Sequence, residues 1–272
     1  AGSANANVRI ASGAPASLDA TLSGISAADP KGRFSFAGFG GDLRWHSGAD
    51  ARTSELHWDS GAIFGIGLGP ARFGFSSSNR ELRLAQAASV AALGGRLKLD
   101  SLRWQAPQGE AGARFQFGMG VENLDLASLS QRLGWPPFTG TISGRIPSAR
   151  FQDDRLDIDG GLQMHVFGGS VELGELAMER PFGSAPTLTG NVAIEDVDLE
   201  QITKVTGFGT ITGRLDGRIR DLRLVNWSPV AFDARLETDR AWKGKKRLSQ
   251  RAVKDISDVG GSGIAGGLQA KA

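Results

Sequence analysis

The chain has 272 residues and a formal net charge of +2, long enough for one large β domain or two ordinary ones. That charge is too small to mark a nucleic-acid binder. Cysteine is absent, which excludes disulfides, thiol catalysis and cysteine-ligated metals. Glycine, at 39 residues, lies well above its usual share of ~7%, which favours turns, bulges and bent strands.

The opening "AGSANANVRI" carries no initiator Met, basic region or apolar region, so it reads as an excised segment whose targeting signal lies elsewhere. No apolar run reaches the ~18 residues that a membrane-spanning helix needs. Period-two alternation then dominates. "RFSF" (33–36), "ELHW" (55–58), "ARFGF" (71–75) and "RLKLDSLRW" (96–104) each set apolar residues against polar ones. In "ARFQFGMGVE", Phe115, Phe117, Met119 and Val121 share one face, with Arg114, Gln116 and Glu122 on the other. "GLQMHV" (161–166), "SVEL" (170–173) and "VAFDARLE" (230–237) continue the pattern. Strands with one apolar and one polar face favour antiparallel sheet. Turn signals such as "DPKG", "SSSN", "APQG", "QDD" and "FGG" separate them at short intervals.

Two segments break the alternation. "DLASLSQRLG" (125–134) and "DLEQITKVTG" (198–207) begin with Asp and end with Gly, the start and stop signals of a short helix. Asp198 with Gln201 also fits a capping box. The two helices lie 73 residues apart, within a longer repeat: residues 121–151 align without a gap onto 194–224, and ten of the 31 positions are identical. The unit is strand, short helix, strand, turn, strand, and no third copy is clear upstream. Such self-similarity marks scaffold added by repetition.

The tail differs. Arg240, Lys243, Lys245, Lys246, Arg247, Arg251 and Lys254 crowd into 15 residues. "LSQRAVKDISDVGG" (248–261) fits a helix, and the Gly-rich end after it fits a flexible segment. The basic run reads either as a solvated helix or as a contact for anionic headgroups. The composition suggests three segments: 1–110, 111–240 and 241–272.

Catalytic motifs are missing. His46, His57 and His165 lack short metal-ligand spacings. In "DDRLDIDGG" (153–161) the acids fall out of EF-hand register. "GIGLGPARFG" (65–74) is neither GxGxxG nor a P-loop, and no GxSxG is present. The sequence therefore gives no support for an enzyme, a metal or a cofactor. The apolar strand faces fit the inside of a closed sandwich or an open curved sheet equally well. An outer-membrane barrel also alternates, but the absence of tyrosine argues against its aromatic girdles.

Taken together, "DVDLEQITKVTGFGTITGRLDGRIRDLRLVNWSPVAFDARLETD" and the following "LSQRAVKDISDVGG" resemble the C-terminal part of the AsmA-like family. Within it they are most similar to YdbH-type proteins, whose end region carries a "dicarboxylate transport" label. The resemblance covers about residues 187–262. It implies a mostly β protein with a long curled antiparallel sheet, built from repeated strand–helix–strand–strand units and closed by a C-terminal helix. It further implies a bridge-like protein of the Gram-negative periplasm, anchored in the inner membrane by a helix outside this segment. Such a protein carries phospholipid towards the outer membrane in an apolar groove, with envelope proteins as further partners.

On that expectation the lipid-facing residues are Phe115, Phe117, Met119 and Val121, then Leu162, Met164 and Val166, then Ile211, Leu215 and Ile219, and finally Phe232 and Leu236. Lys243, Lys245, Lys246, Arg247 and Arg251 are the headgroup candidates.

Overall fold

Two-residue turns punctuate the sheet. At Phe64–Gly65, Asn79–Arg80, Leu93–Gly94, Asp153–Asp154, Phe167–Gly168 and Asn226–Trp227 both residues have positive φ, the type I′ geometry whose twist matches that of a hairpin. The computed structural model describes residues 2–12, 14–108, 112–239 and 242–255. The chain is mostly β, with one large antiparallel sheet. It divides into two units, Ala1–Leu124 with Arg145–Asp157, and Asp125–Gly144 with Ile158–Ala272.

In the first unit, β1 (Ser3–Ala11), β2 (Ala14–Ala28) and β3 (Phe34–His46) pair in succession. β4 (Arg52–Trp58) and β5 (Ser60–Ile63) both pair with β3 and form two halves of one longer strand, interrupted at Asp59. β6 (Ile66–Leu68) and β7 (Ala71–Ser78) are interrupted at Gly69–Pro70, and β8 (Glu81–Leu84) and β9 (Ala88–Ala92) at 85–87. Proline cannot donate to a ladder, so a break at Pro70 is expected. β7 pairs with β4 and β8, and β10 (Gly95–Gln105) pairs with β8, β9 and β11 (Arg114–Asp125).

The "APQG" turn signal falls in the connection between β10 and β11, which pair from Arg96–Glu122 to Gln105–Arg114.

In the second unit, α1 (Leu126–Leu133) leads into β12 (Gly140–Gln152) and β13 (Arg155–Val166), hairpin-linked strands that each contribute residues to both units. β14 (Gly169–Glu179) pairs with β15 (Thr187–Asp198), and α2 (Leu199–Thr206) follows. β16 (Ile211–Thr212) is brief. β17 (Arg214–Val225) then pairs with β15 and with β18 (Ser228–Thr238). β16 forms a separate two-stranded ladder with β19 (Arg247–Leu248), and α3 covers the described residues 250–255. The helix thus starts two residues later than expected, because Leu248 belongs to β19 and Ser249 caps the helix; residues 256–261 of the expected helix and the Gly-rich tail lie outside the described residues.

The repeat is exact in its caps. Asp125 and Asp198 have φ −73° with ψ 119° and 110°, and Gly134 and Gly207 have φ 67° and 69°. The Asp125 carboxylate accepts from the Ser128 N–H at 2.7 Å. The hydrogen bonds from the Ser128 side chain and backbone hold that carboxyl below the ordinary carboxylate range. Asp198 accepts from Glu200 and Gln201. The Gln201 amide contacts the Asp198 carboxylate at 3.4 Å, which replaces the reciprocal bond of a capping box.

The repeat also reaches further upstream than the sequence comparison showed. Leu93–Gly94–Gly95 and Phe167–Gly168–Gly169 open β10 and β14 in the same way. Gly95 lies against the carbonyls of Glu122 and Asn123, and Gly169 against those of Glu195 and Asp196. A Cβ at either glycine would fall within 2.6 Å of that backbone, so the close approach requires glycine. Asn123 and Asp196 are matching positive-φ residues. The connection between β10 and β11 has one residue more than that between β14 and β15, so upstream of it the offset is 74 in place of 73.

Candidate functional site: the apolar strand face

Cross-strand register decides which side chains share a face. In the first unit Phe115 pairs with Trp104, Phe117 with Leu102, Met119 with Leu99 and Val121 with Leu97. The row continues through Leu97–Val90, Leu99–Ala88 and Trp104–Leu82, then Leu84–Phe75 and Phe73–Leu56. Aromatic contacts join these rows. Phe115 stacks on Phe151 at 4.6 Å and on Phe117 at 6.1 Å, and Trp104 meets Trp45 edge-on at 6.4 Å. Phe73, Phe75 and Val90 form the buried cluster beneath, with Trp58, Leu82 and Leu102 packed against it.

Residues from Leu56 to Trp104 thus extend the face, although only β11 was singled out from this unit. The obstacle was a bulge between Leu99 and Ser101, which shifts the alternation by one residue. Leu97 and Leu99 share the face with Leu102 and Trp104, a parity that strict period-two counting forbids. The "DS" inside "RLKLDSLRW" is the mark that this bulge leaves in the sequence.

The second unit carries two parallel rows. Leu173, Val192, Ile219 and Ala234 pair in turn, as do Val171, Ile194, Gly217 and Leu236. Leu215 pairs with Val197, and Phe232 stands opposite the bulge between Arg220 and Arg223. A cleft of about 420 Å³ has Leu173, Val192 and Ile219 in its lining. On β13, Leu162 and Met164 are half-buried and Val166 is buried. Ile211 stands apart from these rows: it pairs with Leu248 in the small β16–β19 ladder.

The opposite face is charged. Glu81 sits between Arg83 and Arg103, which are themselves cross-strand partners. A depression of about 570 Å³ in the first unit includes Asn5, Asp19, Thr21, Asp42 and Arg52. Its groups satisfy one another, through a Thr21–Asp42 hydrogen bond of 2.7 Å and an Arg52–Asp19 pair at 3.6 Å.

His46 is buried with its ring against the Asp50 carbonyl. Among the described residues no group of His, Asp or Glu is arranged to hold a metal. No described helix is long and apolar enough to cross a membrane.

Lys243, Lys245, Lys246, Arg247 and Arg251 are all exposed, in the stretch that runs past β19 into α3. In comparisons with known proteins, the chain matches no family model, no curated protein and no solved structure.

Proposed function

We propose that this chain is a segment of a lipid-carrying β-sheet protein of the cell envelope, whose apolar strand face receives phospholipid acyl chains. One observation carries the reading: within each unit the apolar rows are aligned from strand to strand yet incompletely covered. Phe115, Phe117, Met119, Leu162, Met164, Leu215, Ile219 and Phe232 are only half-buried, and Leu236 is 53% exposed. A closed sandwich interdigitates both inner faces in a dry core, where such residues are fully buried. Apolar rows of this extent that remain open to solvent mark a binding surface.

Lipids extracted from the purified chain and identified by mass spectrometry, against a mock purification, test the reading. Stoichiometric phospholipid that is lost in Phe115→Asp/Phe117→Asp, with the β signal retained, supports it. A folded and lipid-free protein overturns it in favour of a closed sandwich.

A further inference from the structure

The basic stretch 242–255 is fixed to the protein by contacts that leave most of its cations exposed. The Thr212 hydroxyl donates to the Lys245 carbonyl at 2.7 Å and accepts from the Arg247 N–H at 2.9 Å. Ser249 caps α3: its hydroxyl accepts from the Ala252 N–H at 3.1 Å and from the Thr210 N–H at 2.9 Å. Ala252 is wholly buried, against Gly209. The Lys246 ammonium donates to the Asp239 carbonyl at 2.6 Å, and the remaining anchors run through backbone groups and small side chains.

Six cations, Lys243, Lys245, Lys246, Arg247, Arg251 and Lys254, are exposed around these anchors. The acid within the stretch, Asp255, lies 3.6 Å from Arg251. Apolar side chains are exposed among the cations: Leu248 is 60% exposed and Val253 51%, while the Trp242 ring lies over Gly244.

We propose that residues 242–254 form a docking surface for an anionic phospholipid bilayer, a role separate from the strand face. Positive charge draws the segment to the headgroups, and each cation near such a surface strengthens binding about fivefold. Leu248 and Val253 then enter the boundary between headgroups and acyl chains, as apolar residues of interfacial segments do. The interleaved apolar residues favour a bilayer over a nucleic acid, which gains nothing from an exposed leucine.

Flotation of the full chain with vesicles tests the assignment. Vesicles with about a third phosphatidylglycerol in phosphatidylethanolamine are expected to bind, more weakly at high salt, whereas pure phosphatidylcholine vesicles are not. Lys243→Gln/Lys245→Gln removes two exposed charges and weakens binding about 25-fold. Leu248→Ser weakens it several-fold with little change in salt dependence.

Equal binding to phosphatidylcholine overturns the proposal, as does a double variant that binds like the parent. It also falls if a single-stranded oligonucleotide competes with vesicles and binds Leu248→Ser as tightly as the parent. Phe115→Asp/Phe117→Asp is expected to keep vesicle binding, so the two readings fail separately.

Discussion

Ser130 and Thr203 occupy the same buried station in the two capped helices, 73 residues apart, and only the Thr203 hydroxyl has protein partners. Thr203 Oγ1 donates to the Leu199 carbonyl at 2.8 Å and accepts from the Ile211 N–H at 3.4 Å. Removing a satisfied buried hydroxyl orphans its partners, whereas removing an unsatisfied one relieves a desolvation penalty. Thr203→Val is therefore expected to cost about 1–2 kcal/mol, and Ser130→Ala to be neutral or to stabilise by up to about 1 kcal/mol. Urea unfolding of the two variants checks the difference, and equal losses would sink the distinction.

Phe64 and Phe167 are both the first residues of two-residue turns, with φ 49° and 52°. A bulky residue in that region costs about 1–2 kcal/mol, which asparagine largely avoids. Phe64 has a partly exposed ring, so Phe64→Asn is expected to raise stability by about 0.5–1 kcal/mol. Phe167 is buried and meets Phe138 edge-on at 5.7 Å, so Phe167→Asn should lose about 3 kcal/mol. Thermal denaturation of both distinguishes turn strain from packing.

Arg33 grips Asp29 with two side-chain hydrogen bonds of 2.9 Å. Those bonds are the main cause that lowers the Asp29 carboxyl from 3.8 to about 2. The folded state binds this proton less readily than the unfolded chain does. The resulting stabilisation is complete above pH 3.8 and is lost as pH falls towards 2. NMR titration of the Asp29 carboxyl should show a midpoint near 2, and Arg33→Gln should move it upward. An unchanged midpoint in that variant would exclude the arginine as the cause.

Gly209 has φ 69°, and a Cβ there would lie 2.5 Å from the Ala252 nitrogen and 2.8 Å from Ser249 Oγ. Gly209→Ala adds left-handed strain of about 1–2 kcal/mol and pushes α3 off its seat. Hydrogen exchange at residues 250–255 should accelerate while β14 and β15 keep their protection. Unchanged exchange in α3 would show that the seat tolerates the methyl group.

Alternation alone located the strands, because a half-buried pleat demands it. Asp and Gly located both helices through the orphan N–H and C=O groups that a helix end must satisfy. Three features were not legible. The bulge at Leu99–Ser101 reverses parity, which hid Leu102 and Trp104 from the face. The extra residue between β10 and β11 changes the repeat's offset from 73 to 74, which hid the match of β10 with β14. Ile211 carries the same alternation as Leu215, yet its pairing with Leu248 depends on a segment 37 residues further on, which no local pattern encodes.

The two-residue turns also bear on how the chain is made. β6 meets β5, β8 meets β7, β10 meets β9 and β18 meets β17, so each of these strands finds a partner already synthesised just before it. Closing a short hairpin takes microseconds, while a ribosome adds residues at about 5–20 per second. Successive strands can therefore zip on as they emerge, and apolar rows that would invite aggregation in a free chain are aligned within a sheet almost as soon as they leave the exit tunnel.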